Sequence, residues 1–134
     1  MLIIYIYIWK MKKPTRKSLV VKLDAIFSQY IRRKDAFNDI AKCVTCGKHD
    51  NYKKLQCGHF MSRSHYSTRW DERNVGVQCY GCNISRSGEQ YKFSKYLGNN
   101  LSEELHIKSK QVVKFADIDL IELIEHYTEK VNSL

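Results

Sequence analysis

The sequence predicts an α+β domain with one small mixed core, held by four cysteines, and helices before and after it. Three observations carry this. Two Cys-x-x-Cys pairs, Cys43 with Cys46 and Cys79 with Cys82, bracket the middle of the chain. Short β-rich stretches lie between the pairs, at Tyr52 to Phe60 and Asn74 to Gln78. Apolar residues recur at helical spacing on either side of them. The 32 residues between Cys46 and Cys79 exceed the ~15–20 of compact four-cysteine fingers. The excess leaves room for a hairpin and a loop between a cysteine knuckle and a closing helix, which is the treble-clef layout.

Taken in order, Leu2 to Trp9 is nearly all apolar but too short to span a bilayer, which needs ~20 apolar residues. Its Ile and Tyr content suits a strand, and it lacks the flanks of a signal peptide. Met11 is an alternative natural start. Residues 1–17 read as an apolar start and a basic arm outside the packed domain, and residues 18–134 as that single domain. Its core lies at 43–97 and its supporting helices at 102–133. Ser18 is a candidate cap for a first helix with an apolar stripe of Leu19, Leu23, Ile26, Phe27, Tyr30 and Ile31. A second short helical piece is expected from Ala36 to Ala41. Met61 to Arg73 reads as irregular. Cys79–Cys82 should open a helix that carries Tyr91, Phe93, Tyr96 and Leu97 and stops at Gly98. Ser102 starts another helix, and Asp119 with Glu122 fits a capping box, with Asp117 a rival cap. The last helix should bury Ile118, Ile121, Leu123, Ile124, Tyr127 and Val131. His106 and His126 read as ordinary surface or satisfied residues.

The formal charge is +9, unevenly spread. Residues 1–75 hold 16 Lys/Arg against 6 Asp/Glu, and residues 76–134 hold 7 against 8. A basic first half beside a neutral second half suggests one face for a polyanion, and the arm with Lys12 and Lys13 could lie along phosphates. Five cysteines, four of them in tight pairs, fit reduced thiols on a metal better than a disulfide framework. A reducing cytoplasm is the expected location, with no membrane association.

Two thiolate pairs complete a closed tetrahedral Zn²⁺ site, which would be structural. A rival ligand set would replace one cysteine with Cys57 or His59. If this staple pins both ends of the motif, His59 and Asn83 can flank one small space. Neutral His59 suits a base that takes a proton from water. The carbonyl of Asn83 suits Mg²⁺ or Mn²⁺, which would stabilise a leaving 3′-oxygen and the charge on a phosphate. Arg63, Arg69, Arg73 and Arg86 are candidates to hold phosphates.

Cys43-x-x-Cys46, Gly58-His59-Phe60, Trp70, Glu72-Arg73-Asn74-Val75, Gln78-Cys79-x-x-Cys82-Asn83 and Gly88 together resemble the NinG/Rap recombination proteins of lambdoid bacteriophages. The resemblance extends over roughly residues 12–132, through Lys22-Leu23-Asp24, Tyr30-Ile31-Arg32-Arg33 and the final helix. It implies a structure-specific DNA endonuclease on branched recombination intermediates, including Holliday junctions and D-loops. More broadly it implies an HNH, or ββα-metal, core in which His59 is the general base, Asn74 orients the catalytic loop or that histidine, and Asn83 binds the catalytic metal. The implied partners are branched double-stranded DNA and phage recombination proteins, and symmetric cutting of a four-way junction would suit a homodimer.

Two departures stand out. Many HNH enzymes carry an Asp or His just before the base, where this chain has Gly58; either Asn83 and water hold the metal, or Cys57 or His65 reaches in. Members of the resembled family often carry a His where this chain has Gly76. Two other readings remain: a non-catalytic zinc module that binds nucleic acid, and an adaptor that binds another recombination protein through its C-terminal helices.

Overall fold

The computed structural model of the chain describes Ile3 and residues 12–134. Of the apolar stretch Leu2 to Trp9, all but Ile3 lies outside the described residues. The architecture is mixed α+β, with helices around two small antiparallel sheets.

Helix α1 spans Arg16–Arg33 and buries Leu19, Leu23, Phe27 and Ile31 on one stripe. Its cap is Thr15, whose side chain accepts from the Ser18 amide, so the helix starts earlier than a Ser18 cap would give. The expected helix at Ala36–Ala41 is instead a tight turn. Asn38 and Asp39 take φ of 49° and 63°, and Phe37 and Ile40 exchange both backbone hydrogen bonds. Two successive left-handed residues of this kind make the turn that matches strand twist, and Asn and Asp tolerate it. Strand β1 (Ile40–Lys42) follows and pairs with β2 (His49–Asn51).

The stretch read as β structure at Tyr52–Phe60 is a 3-10 turn (Tyr52–Lys54) and then β3, Gln56–His59. Strand β3 pairs antiparallel with β4, Val75–Gln78, with His59 opposite Val75 and Gly58 opposite Gly76. The connection holds a short helix, α2 (Tyr66–Arg69), and a 3-10 turn, Glu72–Asn74.

After β4 the expected continuous helix is broken. Gly81–Ser85 forms a π-helical turn. Ser87, Gly88 and Glu89 then take φ of 52°, 87° and 49°, which stops it. Helix α3 (Gln90–Leu97) buries only Phe93 fully and leaves Tyr91 and Tyr96 exposed. Helix α4 begins at Asn99, directly after Gly98, and runs to Ser109. The link from Gln111 to Ala116 has no regular structure.

Helix α5 spans Asp117–Asn132. Asp119 accepts from the Ala116 amide, so its carboxylate caps the preceding backbone. Leu120, absent from the expected stripe, is fully buried, and Ile118 is exposed. Ile124, Tyr127 and Val131 are buried as expected, and the stripe begins at Leu120 where α5 packs along α1. The Phe27 and Tyr127 rings meet edge to face at 4.9 Å.

Phe27 is 1% exposed at this helix pair. Phe27→Ala should lower unfolding stability by about 3–5 kcal/mol, measured by urea denaturation. A loss below ~1 kcal/mol would show that the α1–α5 contact is not a tight core.

Candidate functional site

The site is built on the cysteine cluster. Cys43, Cys46, Cys79 and Cys82 place their Sγ atoms within 4.8 Å of one another. A tetrahedral zinc with ~2.3 Å bonds requires sulfurs ~3.8 Å apart, and Cys46 and Cys79 stand at 3.7 Å. The four thiols therefore fit a structural zinc. The knuckle is shaped by backbone bonds from Cys43 N to Lys48 O and from Gly47 N to Cys43 O, with Gly47 at φ 81°. Arg86 donates to Cys82 Sγ at 3.1 Å, which offsets thiolate charge. Neither Cys57 nor His59 belongs to this cluster.

The knuckle grips the second sheet directly. Val44 N donates to Val77 O at 2.8 Å. A Cβ on Gly76 would stand 2.9 Å from Val44 Cγ2, so a His there would push the knuckle away. Gln78 is fully buried and donates through Nε2 to Thr45 Oγ1 and to Gly88 O. Its side chain fills the space over Gly58, where a Cβ would fall 1.9 Å from Gln78 Oε1. That explains the glycine before His59. Position 58 cannot carry a metal ligand while Gln78 locks the strand to the knuckle.

His59 and Asn83 line one open cavity of about 400 Å³, together with Asp24, Arg32, Gln56 and Arg63. His59 Nε2 lies 2.9 Å from the Arg69 carbonyl oxygen. A carbonyl only accepts, so Nε2 carries the proton and the neutral ring keeps its lone pair on Nδ1. Burial pushes the His59 pKa below its ordinary 6.5, with Arg63 adding to the effect, so the ring is neutral at pH 7. Asn83 Nδ2 donates to Gln56 Oε1 at 2.7 Å. Its carbonyl Oδ1 is thereby turned away from the amide bond and has no hydrogen bond among the described residues.

Asn74 makes no hydrogen bond to His59 among the described residues. It is fully buried and accepts from Met61 N while donating to Met61 O and Thr68 O. One side chain thus ties both limbs of the loop that carries Arg69 O.

A residue outside the sequence-derived set pins the same loop from the other side. Asp24, on α1, accepts from Arg69 Nε at 3.0 Å, Arg69 Nη2 at 2.5 Å and Trp70 Nε1 at 2.9 Å. The sequence signal was present, since Asp24 stands one residue beside the buried Leu23 on an otherwise apolar turn, but its partners lie 45 and 46 residues away. The chain Asp24–Arg69–His59 links α1 to the histidine tautomer.

Of the four arginines expected to hold phosphates, Arg69 is thus engaged by Asp24. Arg73 is paired with Asp71 and Glu104, and Arg86 with Glu89 beside Cys82. Arg63 is 61% exposed and only approaches Asp24, at 3.7 Å. Lys12 and Lys13 are exposed just before α1. Cys57 lines the cavity, but burial pushes its thiol up to about 12, so it stays neutral. His65 does not line the cavity.

Stripping metal with a strong chelator should abolish the near-UV CD signal of the core, because the cysteine cluster joins the knuckle to β4. An unchanged spectrum after metal loss, verified by mass, would mean the cysteines are not the staple. Asp24→Asn should free Arg69 and turn the single Nε2–H tautomer of His59 into a mixture. Imidazole ¹⁵N shifts measure this, and identical shifts in both proteins would sink the link. No helix among the described residues is long and apolar enough to cross a membrane.

The comparisons with known proteins agree with the motif. No curated protein and no solved structure matches the chain. The family described as bacteriophage lambda NinG protein matches residues 7–134. That match spans nearly the whole sequence, including the four cysteines, His59, Asn74 and Asn83, and the chain belongs to the NinG family.

Proposed function

We propose that the chain is a metal-dependent endonuclease acting on branched DNA, such as Holliday junctions and D-loops, with a ββα-metal core in a treble-clef-like frame. The observation that carries this reading is the pairing of His59 Nε2 with Arg69 O in the cavity that also holds Asn83. It leaves a neutral base with Nδ1 available in a site walled by Arg32 and Arg63. The order β3, loop, β4 and helical turn supports the core assignment. NinG family membership and the basic first half support DNA as the substrate class.

In this mechanism Arg63 and Arg32 hold the scissile phosphate and neutralise part of its charge. His59 Nδ1 takes a proton from water as the water oxygen attacks phosphorus. The bond from phosphorus to the 3′-oxygen breaks, and the departing 3′-oxygen takes a proton from solvent water, leaving a 5′-phosphate and a 3′-hydroxyl. Asn83 Oδ1 offers a hard oxygen donor of the kind that Mg²⁺ or Mn²⁺ takes. A bound divalent ion would supply charge stabilisation at the phosphate and the leaving oxygen. Gln56 orients Asn83, while Asn74 and Asp24 position the base and remain outside the bond-making steps.

One observation favours a second reading. Among the described residues Asp24 is the sole carboxylate lining the cavity, and Arg69 and Trp70 already engage it. A cavity so poor in free anionic ligands also suits a non-catalytic zinc module that binds nucleic acid. That module would show salt-sensitive binding and no product in Mg²⁺ or Mn²⁺.

Purified protein should nick four-way junction DNA in Mg²⁺, and His59→Ala should reduce the rate by ~10²–10⁴-fold while zinc content and CD stay unchanged. The base acts in its neutral form, so activity should fall as pH drops through the His59 pKa. The acid limb of kcat/KM should have its midpoint below 6.5. Cutting at the full rate by His59→Ala would remove His59 as base, and absence of metal-dependent product from the native protein would favour the binding module.

A further inference from the structure

We propose that the groove along the N-terminal half of α1 is a second phosphate-binding subsite. It takes the backbone of a DNA strand within about three phosphates of the one in the His59 cavity, and it rests on the nuclease reading only for the identity of that strand. The groove, about 680 Å³, is lined by Arg16, Lys17, Val20, Val21 and Tyr66, among others. It shares Asp24 and Arg63 with the His59 cavity, so the two recesses abut at that pair.

Charge decides the occupant. Among the described residues four cations line the groove, Arg16, Lys17, Arg63 and Arg69, against one carboxylate, Asp24. Arg69 and Asp24 neutralise each other through two hydrogen bonds. The net excess belongs to Lys17 and Arg63, since Arg16 is paired with Asp117. Arg16 spends Nη1 on Phe115 O and Asp117 and is half exposed, so its other N–H groups face the groove or solvent. Lys17 is exposed and makes no salt bridge among the described residues. Val21 is 61% exposed and offers apolar surface for a sugar face beside these cations. A polyanion with a regular charge spacing fits this surface better than an acidic loop of irregular shape.

The helix sets the distance. Lys17 and Asp24 are seven residues apart, two turns on one face of α1, or ~10 Å at ~1.5 Å per residue. A strand of duplex DNA advances ~3.4 Å per phosphate along its axis. The strand leaving the cavity past Arg63 therefore meets Lys17 within about three phosphates at most, fewer where it winds about its axis.

The test uses the full chain with its zinc and a four-way junction in Ca²⁺, reading affinity as a function of salt. Lys17→Ala should lower the slope of log affinity against log salt by about 1, and Lys17→Ala with Arg63→Ala by about 2. Lys92→Ala, on α3 and outside both recesses, should leave the slope at its native value. A scan of neutral methylphosphonate linkages along one strand should reveal a sensitive position that disappears in Lys17→Ala. An unchanged slope in Lys17→Ala, an equal fall in Lys92→Ala, or tighter binding of an acidic peptide than of DNA would overturn the subsite. Binding that follows the predicted slopes, with no cleavage when Mg²⁺ replaces Ca²⁺, keeps the subsite and rejects the nuclease. Cleavage with unaltered slopes does the reverse.

Discussion

Four cysteine sulfurs drawn within 4.8 Å of one another set the terms for the rest of the core. They fasten the knuckle at Cys43–Cys46 to the turn that follows β4, and every close approach nearby is made possible by that junction. Val44 lies on β4 because Gly76 has no side chain, and Gln78 crosses to Thr45 because Gly58 has none. A small sheet of four-residue strands could not hold these contacts by hydrophobic burial alone, since so little apolar area is removed from water. A metal on the thiolates would supply the missing stability and the fixed geometry together.

The loop between β3 and β4 is held by a different device. Asn74 ties its two limbs from within, and Asp24 reaches it from α1 through Arg69 and Trp70. Both anchors are buried or half-buried polar groups with satisfied bonds, the kind that specify one arrangement over its neighbours. Their joint effect falls on Arg69 O, and through it on the proton of His59. Glu72 adds a third tie, accepting from Tyr127 and Lys130 on α5. The C-terminal helices thereby brace the site without lining the His59 cavity.

Much of this was legible from residue order. The paired cysteine spacing, the helical stripe of α1 and the strand at Val75–Gln78 each have a local signature, so they could be read directly. The turn at Asn38–Asp39 was missed because Phe37, Ile40 and Ala41 mimic a short helical stripe, while two left-handed residues decide the matter. The helix expected to run from Cys79 to Leu97 was missed for a related reason. Gln78 pulls Gly88 O inward and Gly88 N bonds Cys82 O, contacts with no periodic trace in sequence.

The sequence by itself determined which residues could carry chemistry: four thiols, one histidine and two asparagines in a fixed order. Their types and spacing are chemical facts that folding does not alter. Only the tertiary structure decided which cations are spoken for, since Arg69, Arg73 and Arg86 meet carboxylates far from or beside them while Arg63 stays exposed. It alone brought Asp24 to the loop, because a helix two turns long or more places its polar residues against segments distant in the chain. It also gave Gly58 its reason, which is the Gln78 side chain that occupies the place where a ligand would have stood.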